Sequence, residues 1–176
     1  MVQMGVDEWG NTLCWKGRRG AKLYGARELL EELLHDSRTG VPDSIIFHLG
    51  CNDLIQRSKL GFHLMVRDLV EFCQVALPHT IIMWSNILPR PYYEGAYEQA
   101  GMKAKLSEIN RNASRQFERV WGKSIAHSAI LPGMTWLFRE DKLHLNEQGL
   151  EFFLSAFRSA LGYFQIVPTA VRYPPV

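Results

Sequence analysis

A chain of 176 residues, 47% hydrophobic and 22% charged, is long enough for one globular domain and too apolar to stay disordered. A formal net charge of +2 gives no reason to expect nucleic-acid binding, and no apolar stretch approaches the roughly 20 residues of a membrane span. Three cysteines (Cys14, Cys51 and Cys73) are an odd number without metal-ligand spacing, which argues against a disulfide framework and for a reducing compartment.

In chain order, the first ten residues lack a basic stretch followed by an apolar one, so no signal peptide is expected and the default location is cytoplasmic. Thr12 to Trp15 is a short β-prone run, followed by the basic, glycine-rich loop Lys16 to Gly20. Ala26 to His35 predicts a helix, with Leu29, Leu30, Leu33 and Leu34 on one face and Glu28, Glu31 and Glu32 on the other. Gly40 and Pro42 mark a turn over 38–43. Ser44 to Leu49 is a continuous apolar run that suits a strand covered on both faces.

Gly61 to Leu77 has apolar residues at helical spacing and is closed by Pro78. Thr80 to Trp84 predicts a second buried strand. Ser85 to Gly95 is a proline-bearing loop, and Ala100 to Trp121 a long helix ended by Gly122. Lys123 to His127 predicts a short strand and Leu131 to Arg139 a loop. Asn146 to Leu161 predicts a final helix, and Gly162 to Val176, with three prolines, an extended or loosely packed tail. The expected division is therefore a domain over residues 1–162 and a tail over 163–176. Strands alternating with helices predict an α/β fold, a parallel sheet with helices on both faces as in flavodoxin-like proteins. In such sheets the functional loops follow the carboxyl ends of the strands, which would gather Gly20, Asn52, Ser85 and the 141–144 segment on one rim.

Acyl transfer at an ester needs a nucleophile, a base, a group that orients the base, and donors for the developing oxyanion. Asp141 and His144 suit the middle two roles. The carboxylate would accept from the imidazole Nδ1–H and leave Nε2 free to take a proton. The plainer reading is a solvated loop with Asn146 capping the next helix. Asn52, after the buried run, offers a side-chain amide to an oxyanion, worth on the order of 3 kcal/mol, or else forms an ordinary Asn-Asp turn. Asp53 is expected to bond amides of its own turn. Gly20 offers a backbone N–H, or is simply a strand-to-helix turn; its surroundings match no phosphate-loop spacing. Cys51 reads as a small buried apolar residue, Ser85 as a residue without the sharp turn that exposes a nucleophile, and His48 as a packed core histidine. Trp84, Trp136, Tyr92 and Tyr93 line a groove or cover a core edge. No metal set or cofactor loop is visible, so no cofactor is expected, and a nucleotide-binding flavodoxin-like module is the weakest reading.

Several strings resemble the SGNH (GDSL-like) hydrolase superfamily, and within it the SGNH-like domains of vertebrate retroelement-derived proteins. They are Trp15-Lys16-Gly17-Arg18-Arg19-Gly20; Ile46-Phe47-His48-Leu49-Gly50-Cys51-Asn52-Asp53-Leu54; Thr80-Ile81-Ile82 with Asn86-Ile87-Leu88-Pro89-Arg90; and Asp141-Lys142-Leu143-His144-Leu145-Asn146-Glu147-Gln148-Gly149-Leu150. The resemblance covers residues 5 to 161. It implies that Gly20 and Asn52 are oxyanion donors and that Asp141 and His144 are the acid and base. It also implies a nucleophilic serine at the end of a first strand lying between the strands near Thr12 and Ser44. No serine occurs before Ser37. The expectation is an SGNH-type esterase domain, N-terminally truncated, lacking that strand and inactive as this chain. The alternative is a non-catalytic binding or assembly scaffold derived from one. The expected partner is a small acyl ester if the chain is active, with no nucleic acid and no membrane, and the oligomeric state is left open.

Overall fold

The computed structural model describes residues 2–6, 10–36 and 40–175. Strands β1 (Val2–Val6) and β2 (Thr12–Lys16) form an antiparallel hairpin with Val6 opposite Thr12. Strands β3 (Ser44–Phe47), β4 (Ile81–Ser85), β5 (Lys123–Ile125) and β6 (Arg172–Tyr173) form a separate parallel sheet in that order. The helices are α1 (Ala26–Leu34), α2 (Lys59–Ala76), α3 (Gln99–Glu118) and α4 (Glu147–Ile166).

The two-residue period of the strands sorts their side chains between layers. Ile45 and Phe47 of β3, with Ile82 and Trp84 of β4, pack with Leu30 of α1, Phe62 and Val66 of α2, and Ile109 and Phe117 of α3. Ile46, Met83 and Ile125 point the other way and meet Phe157, Ala160 and Phe164 of α4. The result is the expected three-layer αβα arrangement. The sheet order runs in one direction while α4 lies on the face opposite α2 and α3. The crossover through α4 therefore has the opposite hand to the two before it, where a single hand is the rule. Its strand, β6, is only two residues long.

Two expectations are corrected. The Thr12 strand is not part of the parallel sheet: among the described residues β2 pairs only with β1, and β3 only with β4. The hairpin reaches both helical layers all the same. The Trp15 ring lies 6.3 Å from that of Phe157 on α4, and Lys16 pairs with Glu32 on α1 at 3.1 Å. The tail is not loose either. The boundary drawn after residue 162 falls inside α4, and Arg172–Tyr173 pairs with β5. The Lys123 ammonium holds the return at 2.8 Å from the Pro168 carbonyl and 2.5 Å from that of Ala170. Arg172 grips Glu118 through two bonds of 3.0 and 2.7 Å. The turn expected over 38–43 falls in part on residues 37–39, outside the described residues.

The end of α3 shows how close packing dictates residue choice. The Gly122 N–H bonds the Phe117 carbonyl at 3.0 Å and the Trp121 N–H bonds that of Glu118 at 3.3 Å, the paired bonds of a Schellman cap. In that cap glycine normally takes the left-handed position. Here Trp121 takes it, with φ of 63°, and its side chain is exposed. Glycine is needed one residue later, because a Cβ on Gly122 would lie 2.6 Å from the Ile82 carbonyl oxygen. Trp121→Gly is therefore expected to stabilise the fold by about 1 kcal/mol, by relieving left-handed strain at the cost of no buried contact. Urea denaturation measures this, and an unchanged or lower midpoint contradicts it.

Candidate active site

The segment between β5 and α4 folds into a small hairpin. Phe138 and Leu145 form an antiparallel bridge, and the Arg139 N–H donates to the His144 carbonyl at 2.8 Å. Lys142, at φ of 54°, turns the chain between them. The turn brings the Asp141 carboxylate onto three donors. Its Oδ1 accepts the Leu143 and His144 amides, both at 2.9 Å, and its Oδ2 lies 2.8 Å from His144 Nδ1. The His144 backbone N–H, the His144 ring and the Leu143 N–H, in that order of weight, hold the Asp141 carboxyl well below the usual carboxylate range. An ionised carboxylate on Nδ1 fixes the tautomer with hydrogen on Nδ1, which leaves Nε2 as the basic nitrogen. The His144 side chain is 66% exposed. Asn146 locks the neck of this turn: its Oδ1 caps α4 by accepting the Gly149 N–H at 2.9 Å, and its Nδ2 donates to the Trp136 carbonyl at 2.7 Å.

The loops after β2 and β3 are stitched together. Arg18 to Ala21 is a turn closed by the Ala21 N–H on the Arg18 carbonyl at 3.1 Å, with Gly20 in the left-handed region at φ of 67°. The closing bond leaves the Gly20 amide outside it. Asn52 Nδ2 donates to the Ala21 carbonyl at 3.0 Å, so one hydrogen of the carboxamide is engaged and the second donor sits beside the Gly20 turn. Asp53 does not bond its own turn as expected. Its Oδ2 accepts the Leu23 N–H at 2.8 Å across 30 residues, its other oxygen has no partner among the described residues, and it is 1% exposed. Lys22 adds a bond to Gln56 at 2.8 Å. Gly20 and Asn52 are thus held side by side, while Asp141 and His144 are held to each other, all in loops that follow carboxyl ends of strands.

The other residues singled out in the sequence fall as follows. Cys51 is half-buried against the α1–α2–α3 core. Trp84 and Tyr93 are buried, whereas Tyr92 and Trp136 are half exposed. Ser85 is fully buried at the carboxyl end of β4, hydrogen-bonded to His48 Nδ1 at 2.9 Å and to His127 Nε2 at 2.7 Å. His48 is a packed histidine as expected, but its link to Ser85 and His127 was not foreseen. A signal existed: each polar residue sits at or just past the end of an apolar run, and the register sets His48 beside Ser85 and Ser85 beside Ile125, two residues before His127.

The sequence matches no protein-family model and no curated protein. Solved structures do match. A GDSL-like lipase from Bacteroides thetaiotaomicron covers 84% of this chain with 74% of its own, at a TM-score of 0.65 and 13% identity. A carbohydrate esterase family 3 protein from Talaromyces cellulolyticus covers 84% with 70%, at 0.64 and 17%. A psychrotrophic esterase from a Pseudoalteromonas species covers 81% with 74%, at 0.58 and 19%. The fold is that of the SGNH hydrolases. At such identities the likeness speaks for the architecture alone, in which the loop after β3 with Asn52 and the Asp141–His144 turn after β5 leave one end of the parallel sheet.

Asp53→Ala is expected to cost about 2 kcal/mol of stability, because the Leu23 amide is left buried without an acceptor. Chemical denaturation measures the loss, and a change of only a few tenths would show that this bond does not tie the two loops.

Proposed function

We propose that these residues form an SGNH-type acyl-ester hydrolase domain holding the acid/base and oxyanion parts of the site, and that as they stand they are inactive. The observation that carries the reading is the exposed Asp141–His144 pair, with its 2.8 Å bond to Nδ1. On this reading Asp141 orients and supports the imidazole, His144 Nε2 takes the nucleophile's proton and returns it to the leaving alcohol, and Asn52 Nδ2 and the Gly20 N–H receive the oxyanion. The 176 residues contain no serine before Ser37, and Ser85, buried between two imidazoles, is closed to substrate. A serine at the end of a further strand beside β3 is the group the dyad would activate. The strings quoted above favour a place among retroelement-derived SGNH-like domains, with a small acyl ester as substrate.

The burial of Ser85 also favours a second reading, a non-catalytic scaffold for binding or assembly. Hydrolysis of p-nitrophenyl acetate separates the two. The chain alone is expected to turn over no faster than its His144→Ala variant. Supplying an upstream strand that ends in serine is expected to give fluorophosphonate-labelled, active protein. In that protein His144→Ala should lower kcat by roughly 10³-fold or more and Asn52→Ala by roughly 10²-fold. A strand-bearing protein that folds but neither labels nor hydrolyses leaves the scaffold reading.

A further inference from the structure

We infer that His48, Ser85 and His127 form an acid-released latch that seats the first half of α4, and with it the Asp141–His144 turn, on the sheet. The three side chains lie in one row across the ends of β3, β4 and β5, on the face that α4 covers. The Phe153 ring of α4 stands 4.7 Å from His48 and 4.8 Å from His127, and Phe157 stands 5.4 Å from His127. The helix begins three residues after His144, at the Asn146 cap, so α4 and the dyad turn move as neighbours.

Hydrogen counting makes the row sensitive to protons. The neutral cluster has one hydrogen on the serine and one on each ring, and its two hydrogen bonds use two of the three. When Ser85 donates to His48 Nδ1 and His127 Nε2–H donates to Ser85, the third hydrogen sits on His48 Nε2. His127 Nδ1, which has no partner among the described residues, then carries only a lone pair. That is the milder way to leave it. One added proton removes this arrangement. On His127 it places a hydrogen on Nδ1 directly. On His48 it makes Nδ1 a donor to Ser85, so Ser85 must donate to His127 Nε2, and the His127 hydrogen moves to Nδ1. By either route a buried N–H without an acceptor appears, together with a charge.

Among the described residues no acidic group acts on His48 or His127. Ser85 comes from β4 and the two phenylalanine rings from α4. On the neighbouring segments, the Asp53 carboxylate is turned to the Leu23 amide, the Lys123 ammonium to the carbonyls after α4, and Glu151 to Arg158. Burial holds His48 at about 4, and burial with the His48 charge holds His127 at about 3. The ordinary value with the latch open is about 6.5. Closed-state values below the open one mean that the latch is fully engaged above pH 6.5 and weakens as pH falls toward 4. The device is a property of the packing and holds whatever the dyad acts on.

Hydrogen exchange of the intact chain tests it. After correction for intrinsic rates, opening of the α4 amides is expected to rise by roughly 10³-fold between pH 6.5 and 4.5, because both imidazoles are held below the open value and opening takes up nearly two protons. The α2 and α3 amides should stay protected. In His127→Phe, which keeps a ring of similar size without the second imidazole, the α4 rise should shrink to the roughly few-tens-fold change that His48 alone gives. If that variant does not fold, ring NMR signals of the unaltered chain decide: both histidines must stay neutral at pH 5.5. Unchanged α4 protection at pH 4.5, equal loss in α2 and α3, or a ring titrating near 6.5 overturns the latch.

Discussion

Four strands running the same way impose the constraint on which the rest of the molecule depends. A parallel strand cannot be reached by a tight turn, so each is entered through a helix, and every segment that leaves a strand does so at one end of the sheet. That end receives Asn52 after β3, Ser85 at the end of β4, and the Asp141–His144 turn after β5. The helices supply burial. Ile45, Phe47, Ile82 and Trp84 face one helical layer and Ile46, Met83 and Ile125 the other, so both faces of every central strand lie under side chains.

Local chemistry was the most legible part of the chain. The apolar runs marked β3, β4 and β5, and helical spacing marked all four helices to within a few residues, apart from the end of α4. The Asp141–His144 pair could be read because its partners are three residues apart, within reach of one turn. Long-range contacts were not legible. Asp53 and Leu23 are 30 residues apart, and an Asn-Asp pair after a strand looks like any turn. His48, Ser85 and His127 become neighbours only once strand register is known. The tail differs from its expectation for a related reason: the helix expected to end at Leu161 continues through the buried Gly162 to Ile166, and a two-residue strand has no period to detect.

The hairpin β1–β2 combines both lessons. Its strand character near Thr12 was evident, but nothing in Thr12 to Trp15 says which strand it pairs with. The structure gives it β1, and Trp15 and Lys16 reach α4 and α1 without joining the parallel ladder. The residues of the candidate site are thereby held by different means. The loops that carry Gly20 and Asn52 are joined by side-chain bonds from Asn52, Asp53 and Lys22, whereas Asp141 and His144 need only their own turn and the cap that follows it.

The return of the chain to β5 sets Ala170 and Tyr173, both half-buried, against the core under α4. The Lys123 side chain is drawn under the Phe164 ring, 4.7 Å from its centre, and its charge is met by the carbonyls of Pro168 and Ala170. Ending an expressed protein where the helical pattern fades would leave that ammonium without its acceptors and expose the flank of β5 and the Glu118 carboxylate that Arg172 now covers. A purification tag is better carried beyond Val176 than substituted for the residues before it.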